Sequence, residues 1–423
     1  MTEMNTRNII RDSVTPEKEY VMDYVHLLCE PAGEMVFPLS GGSALVQVGD
    51  PVLVGQQLSE GENALSVVHC SCSGTVKAIE RRSDGSKETV CVVVDNDRRF
   101  LPAEGVGRRE DWMELSRSDI LKKIRSAGAV GTKPKRFPTA VRLSQLDPDE
   151  VSRIIVDGSE WEPYISSDDD TLRTFSFGVV TGLRILMRLF PGAEGVILIG
   201  ESRESTVNYI LDAVRDAAGI CVATTPDGCP MGDEKMIGRM LSGDEYSVCV
   251  TVTPTESNAV YNAVCRSEPF VRRVVTVAGT AVKNPGNYLV RTGTSCAELL
   301  KAAGGIRPGT DVGKAVLGGA LTGISLSGLD VPIQKNTGAL LLFADEPEER
   351  ETGCIRCGKC AKICPAGLKP MLLLKAVEKG EFTRFKEKLR GSECVECGAC
   401  TWICPAKRPL SQKIGYALTL AGR

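Results

Sequence analysis

A chain of 423 residues that is 42% hydrophobic and 25% charged has room for about three domains, each with a core of ordinary size. A formal charge of -3 and a pI near 5.8 give no global basic field, which argues against a nucleic-acid partner, and no apolar run reaches the ~18 residues of a membrane-spanning helix. With only His26 and His69, histidine-based triads and metal sites have little to draw on, so the chemistry is expected to reside in cofactors.

Residues 1–33 are charged and irregular, and read as an arm laid over another element or a tail. They contain no apolar core of a signal peptide, so the 17 cysteines are expected as thiols of a reducing cytoplasm rather than as disulfides. Cys29, Cys70, Cys72, Cys91, Cys221, Cys229, Cys249, Cys265 and Cys296 read mostly as small buried hydrophobes.

Residues 34–100 carry short β segments separated by turn glycines, VxVGDxVxxGQxL and then SGTVKAI, a pattern similar to the barrel-sandwich hybrid of biotinyl and lipoyl carriers. The hairpin tip has no lysine to modify, so a scaffold is expected instead of a swinging arm. His69, Cys70 and Cys72 alternate along a strand and are not expected to converge on a metal.

Residues 101–270 switch to alternating strands and helices, beginning with a short helix at 119–127. Short apolar runs such as RIIVDG, GVILIG and YSVCVTV between amphipathic helices predict a mainly parallel sheet covered on both faces. Ligands on such sheets bind beyond the carboxyl ends of the strands, which places a pocket near 157–164 and 225–235. Residues 271–345 read as a β-grasp-like module of two strands and a short helix, followed by more strands. Residues 346–351 form an acidic linker.

The last stretch, 346–423, holds the most specific signal. Cys354, Cys357, Cys360 and Cys364-Pro365 repeat as Cys394, Cys397, Cys400 and Cys404-Pro405, each run spaced C-x2-C-x2-C-x3-C-P. In such pairs each fourth cysteine ligates the other run's [4Fe-4S] cluster. One cluster is therefore assigned to Cys354, Cys357, Cys360 and Cys404, and the other to Cys394, Cys397, Cys400 and Cys364. A structural zinc needs four ligands, but not two proline-terminated runs of four.

The chain is identified as a member of the RnfC family through the blocks VGDPVLVGQQLSE, AGAVG with FPTAVRLS, VDGSEWEPYISSDDD, PDGCPMGDEK, VAGTAVKNPGNYLVRTGT, VLGGALTG and LDVPIQKNTGALLL, in that order, besides both cysteine runs. The resemblance implies five parts: the arm, a barrel-sandwich hybrid, an α/β domain like the complex I flavoprotein, a β-grasp-like (SLBB) insert and a ferredoxin-like 2[4Fe-4S] domain. It also implies a cytoplasmic protein, peripheral on a membrane complex, passing electrons between NADH, by way of FMN, and a ferredoxin-like protein. Related members, PrdC and PduS, serve proline and corrinoid reductases, which leaves an electron-relay adaptor as the alternative.

Two blocks depart from the family. Its flavin loop resembles GxGGAGFPT, whereas only Gly131 is kept in Gly131-Thr132-Lys133-Pro134-Lys135-Arg136-Phe137-Pro138-Thr139; the proline removes an amide and the cations occupy flavin space. Its NxAECEPY block is matched by Glu160, Glu162, Pro163 and Tyr164, with Asp157, Ser159 and Trp161 substituted. By resemblance Gly131, Glu160, Glu162, Tyr164 and the Lys235 of GDEK are the candidate flavin and nicotinamide residues. The competing reading has Glu160 and Glu162 capping the helix that follows.

Overall fold

A computed structural model describes residues 27–29, 33–61, 67–131, 138–228, 237–238, 240–241, 248–345 and 350–420. The flavin-loop segment 132–137, Lys235 with the rest of GDEK, and most of the acidic linker lie outside the described residues.

The barrel-sandwich part pairs strands Glu34–Pro38, Glu88–Asn96, Gly74–Ser83 and Pro51–Val52 in one sheet and Ser43–Ala44, Gln57–Glu60 and Val68–His69 in a second. Its core is closed by Met35, Phe37, Leu58, Val76, Val92 and Val94. Cys70 and Cys72 share a face with their sulfurs 3.8 Å apart, as residues two apart on a strand must, and His69 is directed elsewhere.

The α/β domain contains the expected parallel sheet, in the order Ile220–Thr225, Glu194–Gly200, Val151–Gly158, Val248–Val252. These strands are nearly continuous apolar runs because helices cover one face while Ile237, Met240 and Leu241 cover the other. Helix Pro254–Cys265 begins in a capping box of Thr253 and Glu256 with proline at its first position. The fully buried Glu256 also accepts from the Thr139 hydroxyl and pairs with Arg142 at 3.2 Å, which fixes helix Thr139–Ser144. Helix Ser176–Leu189 crosses Pro254–Cys265 where Gly178 and Gly182 leave room for its backbone, and Ser257 Oγ donates to the Val179 carbonyl across the gap at 2.8 Å.

The β-grasp-like module is larger than the sequence suggested. Its six-stranded mixed sheet runs Leu27–Cys29, Gly286–Arg291, Arg272–Ala278, Ala339–Ala344, Val312–Leu317, Ile324–Leu326. The arm therefore contributes an edge strand, parallel to Gly286–Arg291, as an arm laid over another element. The barrel is tied to this module by Val36 N–H to Gly293 O at 3.0 Å and Arg291 Nη1 to Ser71 O at 2.8 Å.

In the last module helices Pro370–Glu378 and Leu410–Leu420 pack through Leu373, Phe385, Ile414 and Leu418 beneath the two cysteine loops. Among the described residues no helix is long and apolar enough to cross a membrane.

Candidate iron–sulfur centre

The two cysteine loops repeat in backbone as well as in spacing. Gly358 and Gly398 are left-handed, with φ of 78° and 75°, and each starts a one-turn helix, Lys359–Lys362 or Ala399–Trp402. The residues two before them, Arg356 and Glu396, are also left-handed, at 57° and 54°. Ala361 N–H donates to Gly358 O at 3.0 Å and Thr401 N–H to Gly398 O at 3.0 Å. After each proline the chain turns the same way, Gly367 N–H to Cys364 O and Lys407 N–H to Cys404 O. Each loop thus turns its first three thiols to one side.

The thiols gather across the two runs. Cys354, Cys357 and Cys360 of the first line one cavity together with Cys404 of the second, closed by Met371 and Leu410. Burial pushes the Cys360 thiol up, with negative charge on Cys404, Cys354 and Cys357 adding to it. Cys400 is pushed up further by burial, then by Cys397, Cys394 and Cys364. Each group would release its protons only to a strong positive charge, as thiolate ligands do on binding metal. A cavity lined by four thiols suits a cubane, whose irons each take one thiolate. Among the described residues no three His, Cys, Asp or Glu side chains sit at the spacing of a single metal ion.

The second loop is seated against the rest of the chain. A Cβ on Gly398 would come within 2.7 Å of the Leu321 carbonyl, so glycine is required there by contact as well as by φ. Trp161 packs with Leu321, Ile363, Cys397, Ala399 and Ile403, and on its other side with Ile155, Leu198 and Met240 of the parallel sheet. Where the family pattern has a cysteine, this chain has the indole that joins the α/β domain to the cluster module.

The carboxylates carried over from the family are engaged by protein groups. Glu160 Oε1 accepts from the N–H groups of Asp168 at 2.6 Å and Asp169 at 3.1 Å, capping helix Ser167–Thr174. Glu162 does not cap that helix. It accepts from Leu321 N–H at 3.1 Å, Thr322 N–H at 3.3 Å and Thr322 Oγ1 at 2.5 Å, fixing the turn whose Leu321 touches Gly398. Tyr164 meets Phe343 edge-on at 5.2 Å, and Gly131 is buried. None of these described residues forms a flavin cradle, and no step is derived through FMN.

Three buried charges were not foreseen. Lys335 Nζ donates to Val67 O at 2.9 Å and Gly128 O at 3.2 Å, where the barrel, the α/β domain and the β-grasp-like module meet; burial pulls it down to about 7. Arg273 Nη1 donates to Lys335 O at 2.6 Å, and burial lowers it to about 10. Asp168 accepts from Thr255 Oγ1 at 2.9 Å and is pushed up to about 7, first by burial and then by Glu160, against the pull of Arg273. Their spacing in sequence gave no sign of this meeting.

Asp168 makes stability depend on pH. A carboxyl whose folded pKa is raised from 3.8 to about 7 adds stability below pH 4, and that contribution is lost as pH rises through 7. Asp168→Asn keeps an acceptor for Thr255 and removes the ionisation. Its denaturation midpoint is expected to exceed that of the parent at pH 8, by ~2 kcal/mol, and to match it at pH 5. A variant less stable than the parent at pH 8 would refute the assignment.

Comparison with known proteins agrees with this division. Family models match in order: an RnfC barrel sandwich hybrid domain over residues 23–99, a Nuo51 FMN-binding domain over 124–276, an SLBB domain over 274–325 and a 4Fe-4S dicluster domain over 353–407. The chain is 34% identical over 350 residues to the RnfC-type component of the ion-translocating oxidoreductase complex of Salmonella typhimurium, covering 78% of this chain and 46% of that one. It is 33% identical over 351 residues to the protein of the same name from Citrobacter koseri, covering 78% and 48%. The chain thus spans about half the length of these curated relatives. A crystal structure of NAD+-reducing [NiFe]-hydrogenase in the air-oxidized state superposes with a TM-score of 0.50 at 14% identity, over 74% of this chain and 68% of that one, a likeness of fold. With a barrel-sandwich hybrid, an FMN-binding-type α/β domain, an SLBB module and a dicluster domain following one another in this order, the chain belongs to the RnfC family.

Proposed function

We propose that the chain is an iron–sulfur electron-transfer subunit of an oxidoreductase complex, peripheral to its membrane part, passing electrons between NADH or a partner protein and a ferredoxin-like carrier. The observation that carries this reading is the cavity that unites Cys354, Cys357 and Cys360 with Cys404. Those four would hold one [4Fe-4S] cluster, and Cys394, Cys397, Cys400 and Cys364 the other. When bound, such clusters take up and release single electrons. The chain's own part is to supply eight thiolates, to shield Cys360 and Cys400 from water, and to hold the second loop on the α/β domain through Trp161 and Leu321.

How electrons enter separates two readings. The FMN-binding model over 124–276 favours NADH as donor through a bound flavin. The engagement of Glu160, Glu162 and Tyr164 by protein groups favours a relay without flavin, loaded by a partner protein as in the reductase-associated members. Denaturing the anaerobically purified chain and measuring released flavin, then adding NADH to the native chain and following cluster absorbance, distinguishes them. The relay reading expects no flavin and no bleaching by NADH, with bleaching by a reduced low-potential carrier protein. Flavin with NADH bleaching establishes the enzyme reading, and bleaching by neither donor contradicts both.

A further inference from the structure

The two cysteine loops are related by backbone repetition, yet their surroundings differ. The second is covered: Gly398 lies on Leu321, Cys397 and Ala399 pack with Trp161, and none of its cysteines is exposed. The first is open: Cys354 and Cys357 are exposed, and Ile355, at the tip, is 65% exposed. An apolar tip beside exposed thiols is the usual centre of a contact surface.

The charges differ in the same sense. Arg356 stands where the second loop has Glu396, and Lys359 where it has Ala399. Both cations are exposed and line the thiol cavity together with Arg408. Nearby carboxylates are already matched, Glu351 and Glu378 by Arg408 at 3.0 and 2.6 Å, with Lys413 beside both. The open loop therefore presents a net positive rim around an apolar tip.

We infer that this face, centred on Ile355 and ringed by Arg356 and Lys359, is the docking site for an acidic one-electron carrier protein, and that the covered second loop faces inward toward the α/β domain. The inference rests on the iron–sulfur reading above and adds a place and a charge to it. One electron crosses per encounter: the carrier is oxidised by one as the chain is reduced by one, or the reverse, and no bond or proton moves. Opposite charge steers such an encounter and loses its effect as salt screens it.

The repeat supplies a test that the backbone tolerates. Arg356→Glu with Lys359→Ala gives the first loop the residues of the second, whose Glu396 has the same left-handed φ. The full chain, purified anaerobically, is titrated with an acidic two-cluster ferredoxin as probe, with basic cytochrome c as the opposite-charge control, and iron and labile sulfide are measured on each sample. The double variant is expected to keep its iron and to bind the ferredoxin about tenfold more weakly at low ionic strength, a difference that shrinks at high salt. Arg215→Glu, an exposed reversal on the α/β domain, should bind like the parent. The inference falls if the ferredoxin fails to bind the parent, if the double variant binds as the parent does, or if cytochrome c binds as well as the ferredoxin. Parent protein without iron and sulfide would overturn the underlying reading as well, so the two failures are distinct.

Discussion

Replacing Cys404 with alanine is expected to abolish the cluster of the first cysteine run, not that of the run in which Cys404 itself lies. The reason is that Cys404 lines the cavity of Cys354, Cys357 and Cys360. The chain should fall from about eight irons to about four, because a cubane deprived of one thiolate is lost or reduced in iron. Double substitutions make the test sharper. Cys357→Ala with Cys404→Ala should lose no more iron than either change alone, whereas Cys397→Ala with Cys404→Ala should empty both sites. The reverse pattern would mean that each run keeps its own fourth ligand.

The second large effect concerns the frame that holds the site. Gly182→Val is expected to destabilise the α/β domain by about 3 kcal/mol. A side chain there would be driven into the Ser257 backbone carbonyl of the neighbouring helix, and a backbone cannot step aside as a flexible side chain can. Forcing helices Ser176–Leu189 and Pro254–Cys265 apart also disturbs Thr255, which donates to Asp168. Hydrogen exchange on the two helices measures the opening locally, which suits a chain of several modules better than one global midpoint. Unchanged protection of both helices would contradict the packing described.

What was legible in the sequence was local. The cysteine loops could be read because their ligands lie two or three residues apart, and the parallel sheet because its strands are short apolar runs between amphipathic helices. The barrel showed through its repeated turn glycines. The roles of Glu160 and Glu162 divided: the first caps the adjacent helix, as its neighbourhood in sequence allows, while the second caps a turn some 160 residues onward, which no local pattern announces. Trp161 was legible as a departure from the family but not as the joint between sheet and cluster loop, since its partners come from both ends of the chain. Lys335 and Arg273 looked like surface cations because a buried charge is recognised only from its surroundings.

The central claim is that eight thiols from two runs hold two cubanes with exchanged fourth ligands. Iron and acid-labile sulfide counted per chain after anaerobic purification, with electron paramagnetic resonance of the reduced protein, test it most directly. The account predicts about eight of each and two reduced centres whose spins couple because they share one small module. Zinc in place of iron, no labile sulfide, or a single cluster spread over both runs would contradict it.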